Sequence, residues 1–558
     1  MKLAIGSDHG GYDLKEAIKP LLKERGVEVV DMGCYSKNPS DYPDYAGAVA
    51  RKVFMKDVDQ GIAICTTGIG ISIAINKYPG IRAALCLNPR MAEMARRHNN
   101  ANVLALGASQ TSTQEAKAIL EAWFGNEFEG GRHKRRVDKV DSSVDMLANL
   151  NTVDKADHSI GELLKKEMRR RDTILDLIAS ENTTSPAVRE ASGSLLAEKY
   201  ASGYPGARQY PGCANVDEIE RLARDRAAAL FGAEHANVQP YSGSSANMAV
   251  FLAALEPGDT ILAMSPDTGG HITHGGARNF SGKFYKTIHY RLDIDSGLID
   301  YEQVKELAKE HKPKLICVGD SLYSRFIDFK KFRTIADSAG AYLMADIAHT
   351  AGLIAAGCYP NPTSCCEFVT FTTHKTMRGP RGGVILCQQR FAPDIDQSVF
   401  PGAQGGPDMA SIAAKAVSFY EASQPEFKKY QQKVAINAKA LADEMENGGL
   451  LVLSGGTDTH MMAIDVSKYT EDSAAAVAAL AKSGILANNI DIKSAPEAPL
   501  SPTLRIGTAE ITSRGMGVEE MKRVYEFVQK ALNHIGENKK LAETARDVAE
   551  FMKDFPLN

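Results

Sequence analysis

The feature that most constrains this chain is a twofold alternation of short β-rich apolar runs with helical stretches, first across residues 1–125 and again from roughly 236 to 390. In the first region KLAIG (2–6), VEVVDMG (27–33), GIAIC (61–65), IRAALCL (81–87) and NVLALG (102–107) are each followed by a segment with helical apolar spacing, such as MAEMARRH after Asn88-Pro89. Parallel strands need crossover connections and helices supply them, so the pattern predicts an α/β fold: a doubly wound, Rossmann-like parallel sheet wrapped by helices. TILAM, LICVGD, AYLMAD and GGVILC repeat the pattern farther on and predict a second, larger α/β domain. A chain of 558 residues is too long for one ordinary core and has room for both.

Between the two alternations the chain becomes highly charged, with GRHKRRVDKVDSS and later ELLKKEMRRRD. Acidic residues are interleaved with the basic ones, which describes solvated helix faces and a connector rather than a nucleic-acid patch. The expected organisation is a first domain over 1–145, a linker over 146–156, an N-terminal arm and large domain over 157–424, and a smaller α+β domain over 425–558. A net charge of −4 gives no global attraction to a nucleic-acid backbone or an acidic membrane, so small-molecule partners are expected. The nine cysteines show no repeated short spacing and read as reduced thiols. With no export signal in MKLAIGSDHG and no run of 18 apolar residues, the expectation is a soluble cytoplasmic protein.

CTTGIGISIAINK (65–77) follows a strand and opens a helix, so the backbone N–H groups of Thr67, Gly68 and Gly70 can face one anion or oxyanion. Cys65 sits at the strand end beside that turn, where the helix dipole favours a thiolate. Alone, a Gly-x-Gly turn or a strand cysteine serves packing more often than chemistry. With SDHGGYDLK (7–15), DYPDYA (41–46), RRHNNANVLALG (96–107) and EGGRHKRRV (129–137), however, the region resembles type B ribose-5-phosphate isomerases.

That resemblance implies that Cys65 moves the proton between C1 and C2 of the open-chain sugar, with Thr67, Gly68 and Gly70 stabilising the enediolate oxygens. By the same resemblance His98 opens the furanose ring, Asp8 and His9 hold hydroxyls, and Arg132 and Arg136 clamp the phosphate. Such a reaction needs a base, an oxyanion site and a phosphate anchor, and neither a metal nor an organic cofactor. No metal set is expected, since His9, His98 and His133 lack a short carboxylate or cysteine partner spacing. Thr66 stands where the family often has glycine, which leaves the exact sugar phosphate open.

In the second region VTFTTHKTMRGPRGGVILC (369–387) sets Lys375 in a turn between strand-like runs. AYLMADIAHTAG (341–352) puts Asp346 at the end of an apolar strand, with His349 three residues on. An aspartate opposite a lysine at neighbouring strand ends is what a pyridinium cofactor requires, because the carboxylate keeps the ring nitrogen protonated. YSGSSANMAV (241–250) offers a helix N-terminus suited to a phosphate monoester, although a serine cap alone explains it as well.

Together with LIASENTTSP (177–186), KYASGYPGARQYPG (199–212), GGHITHG (269–275), FPGAQGG (400–406) and LRIGT (504–508), these segments closely resemble serine hydroxymethyltransferase from about 157 to 535. The resemblance implies a fold type I pyridoxal 5'-phosphate enzyme with Lys375 as its Schiff-base lysine, Asp346 on the pyridine nitrogen, His271 stacked on the ring and His349 near the ring hydroxyl or substrate. Ser242, Gly243, Ser244 and His374 would hold the phosphate, Ser321 would also contact the cofactor, and Gly405 and Gly406 would come from a neighbouring subunit. Arg505, helped by Ser180, would grip the amino-acid carboxylate in a bidentate pair; Tyr200 and Tyr210 would line the pocket and Arg381 support it. A homodimer or higher homo-oligomer is therefore expected.

The departures from that family cluster. Ser202 stands where the pattern has a glutamate that handles a proton, and a serine hydroxyl does not ionise near neutrality. Gln209 replaces the first tyrosine of a folate-stacking pair, Asp267 an apolar residue near the pterin, Ile490 lies near an expected asparagine, and Arg325 stands where glycine is usual. All but Arg325 concern the one-carbon acceptor. One reading is a bifunctional enzyme that isomerises a pentose phosphate and transfers hydroxymethyl groups between serine and glycine, with tetrahydrofolate an open co-substrate. The alternatives are a folate-independent aldolase or transaldolase acting on glycine or threonine, and a first domain that binds a sugar phosphate without catalysis.

Overall fold

The computed structural model describes residues 1–143, 152–293, 295–490, 492–493 and 500–557. They form two compact units, Met1–Lys165 and Lys166–Asn558. Most of the linker expected at 146–156 lies outside the described residues; 152–156 are helical.

The first unit holds β1 (Lys2–Ser7), β2 (Glu28–Asp31), β3 (Gln60–Cys65), β4 (Ala83–Leu85) and β5 (Val103–Gly107), with helices α1 (Tyr12–Glu24), α2 (Tyr42–Phe54), α3 (Ile69–Ile75), α4 (Pro89–Asn99), α5 (Thr113–Phe124) and α6 (Gly131–Ser143). The sheet order is β2-β1-β3-β5-β4 and every pairing is parallel. Successive residues of a strand face opposite sides, and both sides are buried. Leu3, Ile5, Ile62, Ile64, Leu104 and Leu106 pack with Trp123 on one side, while Ala4, Ala63 and Ala105 pack with Val49 and Ile71 on the other. Small residues on the second side let α2 and α3 lie close: a Cβ at Gly61 would come within 2.7 Å of Val49.

The second unit contains β6 (His235–Asn237), β7 (Thr260–Met264), β8 (Lys286–Tyr290), β9 (Leu315–Gly319), β10 (Tyr342–Asp346), β11 (Phe368–Thr372) and β12 (Gly383–Cys387), with α7 (Gly243–Ala254) and α8 (Met409–Ala422) among its helices. Its sheet runs β8-β7-β9-β10-β11-β12-β6, parallel as far as β11, with β12 antiparallel to both neighbours. The segments TILAM, LICVG, YLMAD and GVILC form strands where the apolar runs predicted them. Beyond the long helix Pro425–Asn447, the strands Leu451–Val452, Met461–Asp465, Asn488–Asn489 and Thr503–Gly507 make a four-stranded antiparallel sheet over a separate core that includes Leu441, Ile464, Leu504 and Phe527.

This is the α/β fold class expected. Its parallel strands deliver Cys65, Asp346 and the segments leading to Ser321 and Lys375 at their carboxyl ends, where open α/β sheets bind ligands. Among the described residues no helix is long and apolar enough to cross a membrane.

Candidate active sites

Asp346 closes β10, and β9 can run beside it because the residue alongside is glycine: a Cβ on Gly319 (φ +145°) would sit 2.2 Å from the Asp346 carbonyl oxygen. Its Oδ2 accepts from Asn247 Nδ2 at 2.8 Å and lies 3.0 Å from His274 Nε2, while Oδ1 accepts the Ala348 N–H at 3.0 Å. Burial works against the charge, but His274, His271 and Asn247 hold this carboxyl below the usual carboxylate range. His274 answers in kind: burial opposes its protonation, yet Cys317 and Asp346 hold it up at about 10. The result is a buried ion pair with its anion at the strand end.

Lys375 lies three residues past β11 with its amine buried. Burial pushes that amine down to about 8, with Asp346 favouring the charge and Arg505 opposing it. Its carbonyl accepts from Asn182 Nδ2 and the Arg378 N–H, both at 3.0 Å. His271 Nδ1 lies 2.7 Å from Thr273 Oγ1, which also accepts from Asn247 Nδ2, so one asparagine orients both the imidazole and the carboxylate. Burial lowers His271 to about 4.

Arg505 comes from the strand Thr503–Gly507. Its Nε and Nη2 donate to Asn488 Oδ1 at 3.2 and 3.1 Å, and its Nη1 donates to the Ser321 carbonyl. Burial brings its pKa down to about 10 against the opposing influence of Asp320. Asp320 is itself pushed up to about 7 by burial, although the N–H groups of Leu322 and Tyr323 donate to it at 2.9 and 2.6 Å. His349 Nε2 lies 3.5 Å from Arg505 Nη1, and its ring stacks on His460 with centroids 5.6 Å apart. Burial, Lys375 and Arg505 keep His349 neutral. Ser180 is half-buried beside Ala179, whose carbonyl lies 3.1 Å from His460 Nε2.

Ser242 is the N-cap of α7, its Oγ accepting the Ser245 N–H at 3.1 Å. The oxygen thereby serves the helix while the O–H remains a donor, and Gly243 and the exposed Ser244 begin the first turn, whose amides carry the positive end of the dipole. A Cβ on Gly243 would stand 2.7 Å from Thr372 Cγ2 at the end of β11. His374 Nδ1 is buried with no hydrogen-bond partner among the described residues, and burial followed by the charges of Arg381 and Lys375 lowers this histidine to about 4.

Tyr200, Tyr210, Ser202 and Gly406 form a second group. The two rings meet edge to face at 4.9 Å, Tyr241 Oη donates to the Gly406 carbonyl, and a Cβ on Gly406 would lie 3.2 Å from Ser202 Oγ and 3.4 Å from the Tyr200 ring. Tyr200 and Tyr210 are 61% and 45% exposed. Gly405 has open space where a Cβ would be.

The isomerase-like residues also fall into two groups. At the ends of β1 and β3, Cys65 Sγ accepts the Gly68 N–H at 3.1 Å, Thr67 Oγ1 accepts the Ile69 N–H at 3.3 Å and Asp8 Oδ1 accepts the Gly11 N–H at 2.9 Å. His9 Nδ1 lies 3.1 Å from the backbone of Ser40. Gly68 has φ +77°, and its Cβ would meet Leu85 Cδ1 at 2.5 Å and the Gly107 nitrogen at 2.8 Å; a Cβ on Gly70 would meet the Tyr42 ring at 2.8 Å. His98 and Arg136 instead line a cavity of about 600 Å³ with Arg82, Asn99 and His133, and neither Cys65 nor Thr67 belongs to its lining. Arg132 Nε donates to His133 Nε2 at 3.3 Å.

The expectation that no carboxylate partners these histidines is corrected at Glu129, four residues before His133, whose Oε2 lies 3.7 Å from His98 Nε2 and 3.8 Å from His133 Nε2. The two imidazoles are stacked at 4.2 Å with planes 5° apart, so their in-plane lone pairs do not converge on one ion.

Residues 153–528 match the family model described as serine hydroxymethyltransferase, and residues 3–140 match the one described as ribose/galactose isomerase. The chain belongs to the serine hydroxymethyltransferase family. Its N-terminal part is a ribose/galactose isomerase-family domain, so the protein joins the two in one chain. Serine hydroxymethyltransferases depend on pyridoxal 5'-phosphate, and the residues of the second unit fit that group. They offer an ionised buried carboxylate for a ring nitrogen, a buried amine with a depressed pKa, a helix N-terminus beside β11 and an unpartnered buried imidazole nitrogen.

Against the serine hydroxymethyltransferase pattern, Ser202 is buried, Gln209 is exposed, Asp267 is exposed beside Arg291 at 3.7 Å, and Ile490 donates its N–H to the Thr503 carbonyl at 3.1 Å. Arg325 fastens a loop instead, donating to the carbonyls of Ser454 and Gly455 and to Asp458. Sequence reasoning missed His274, Asn247, Asn488, His460 and Asp320. Only His274 carried a local signal, as the second histidine of GGHITHG.

Proposed function

We propose that the second unit makes and breaks the Cα–Cβ bond of small amino acids, moving a hydroxymethyl group between serine and glycine, and that the first unit interconverts ribose 5-phosphate and ribulose 5-phosphate. The observation that carries the first part is the Asp346 carboxylate, held by Asn247 and His274 at the end of β10, beside the neighbouring strand β11 that leads to Lys375. Bound pyridoxal phosphate supplies an electron sink for the pair left on Cα when a bond there breaks. Asp346, kept ionised by His274 and Asn247, would hold the ring nitrogen protonated. His271, fixed by Thr273, presents a neutral ring face for stacking. Arg505, held by Asn488, grips the substrate carboxylate, and neutral His349 beside it is able to accept a hydrogen bond from a substrate or ring hydroxyl. Lys375 would hold the cofactor covalently through its amine. The test is borohydride reduction of the coloured protein: the wild type should retain a covalently fixed chromophore and Lys375→Ala should not. A fixed chromophore in the variant would overturn the assignment.

A second reading, a folate-independent aldolase or transaldolase joining glycine to an aldehyde, is favoured by Ser202. It is buried against Gly406, and its hydroxyl does not ionise near neutrality. Titrating the glycine complex with tetrahydrofolate separates the two: a new long-wavelength band at micromolar folate removes the folate-independent reading.

For the first unit, the split between the Cys65 group and the His98 group supports a site completed by a second copy of the chain, hence a homodimer or larger homo-oligomer. Cys65→Ala should abolish isomerisation. Unchanged turnover would favour a sugar-phosphate-binding module.

A further inference from the structure

Lys415 is a buried amine that none of these roles uses; burial pushes it down to about 7, with Asp408 and Glu220 favouring its charge. It lies on α8, is 1% exposed, and its Nζ donates to the carbonyls of Val238 at 2.6 Å, Pro240 at 3.0 Å and Gly383 at 3.0 Å. Three carbonyl acceptors take all three hydrogens of an ammonium, and a neutral amine would turn a lone pair on one of them. The acidic groups whose charge reaches it, Asp408 and Glu220, accept none of these bonds. Burying a cation without a bonded anion is costly, so its retention calls for a counter-charge.

The three carbonyls belong to the segments that build the phosphate end of the site. Pro240 precedes the N-cap Ser242 by two residues and also accepts the Gly383 N–H at 3.0 Å. A Cβ on Gly383 would lie 2.3 Å from the Ser242 carbonyl oxygen, so the two turns are in close contact. Gly382 makes room for the lysine, since a Cβ there would sit 2.3 Å from Lys415 Cε, and its carbonyl accepts the N–H of Thr373, the neighbour of His374. One ammonium thus ties the turn entering α7 to the hairpin that carries His374 and Lys375.

We infer that Lys415 is a positioning residue for the cofactor phosphate: its ammonium fixes the two turns that would hold the phosphomonoester and adds a positive charge beside them. The inference rests on the cofactor reading above, with the phosphate at the start of α7. The experiment measures binding of pyridoxal phosphate and of pyridoxal to the full-length apo-protein by equilibrium dialysis, for the wild type, Lys415→Met, Lys415→Gln and Ser244→Ala. A charge-assisted contribution predicts that both Lys415 variants lose about 10- to 100-fold in affinity for pyridoxal phosphate and little for pyridoxal. Equal losses for the two ligands, or none, overturn the inference. If instead the wild type itself shows no preference for the phosphorylated ligand, the phosphate site is misplaced and the cofactor reading fails first. Should neither Lys415 variant fold, the ³¹P shift of pyridoxal phosphate on the wild type decides. A shift constant from about pH 5 to 8 reports a dianion whose charge keeps the Lys415 amine protonated above its unliganded value of about 7, and a phosphate titrating near its free second pKa of about 6 overturns the proposal.

Discussion

Replacing Asp346 with asparagine keeps the shape of the strand end and removes its charge. In the wild type the carboxylate takes Asn247 Nδ2 and His274 Nε2 on a single oxygen, 2.8 and 3.0 Å away, and His274 is held up at about 10. An asparagine leaves His274 without its carboxylate partner, so the histidine's pKa falls from about 10 and the charged hydrogen bond is lost, a cost of about 1.5–3 kcal/mol. At about 2 °C per kcal/mol, the low end for larger domains, the apo-protein should melt about 3–6 °C lower. A histidine whose folded pKa exceeds its unfolded value stabilises most fully below the unfolded pKa of about 6.5 and loses that contribution as pH rises through the folded value. The difference in melting temperature between wild type and Asp346→Asn should therefore be largest near pH 6 and shrink toward pH 10. Calorimetry of the cofactor-free proteins across that range reads it directly, and a gap independent of pH would refute the ion pair.

Arg505→Lys exchanges a planar fork for a point charge and should raise the amino-acid KM by about 10- to 100-fold, measured by steady-state kinetics on the loaded enzyme. Gly68→Ala puts a methyl 2.5 Å from Leu85 at a φ of +77° and 2.8 Å from the backbone nitrogen of Gly107. It should destabilise the first unit by about 1–3 kcal/mol and abolish isomerisation, while visible absorbance from the second unit persists. Attachment of pyridoxal phosphate to the apo-protein should speed up with pH and level off above about 8, as the Lys375 ammonium loses its proton; stopped-flow absorbance gives the profile.

The strands were legible because a buried parallel strand must be a short apolar run, and Lys375, Asp346, Cys65 and Arg505 because each sits on a motif at a strand or its end. The partners that tune them were not. Asn247 reaches Asp346 across 99 positions and Arg505 reaches Ser321 across 184, distances over which no local spacing gives a signal. Glu129 shows a different limit: it stands four residues from His133 within a segment already singled out, yet its place beside His98 depends on how α4 and α6 pack. The absence of Cys65 from the cavity lined by His98 was equally hidden, because a motif names the residues of a site and not where the fold places them.

Ser242 lends its oxygen to the helix it starts and so fixes where the main-chain amides that can meet an anion stand. Amides are indifferent to the side chains that carry them. Substitutions along the turn that keep the helix beginning at the same residue should leave anion recognition standing, whereas moving that start by one position would erase it with every named side chain still present.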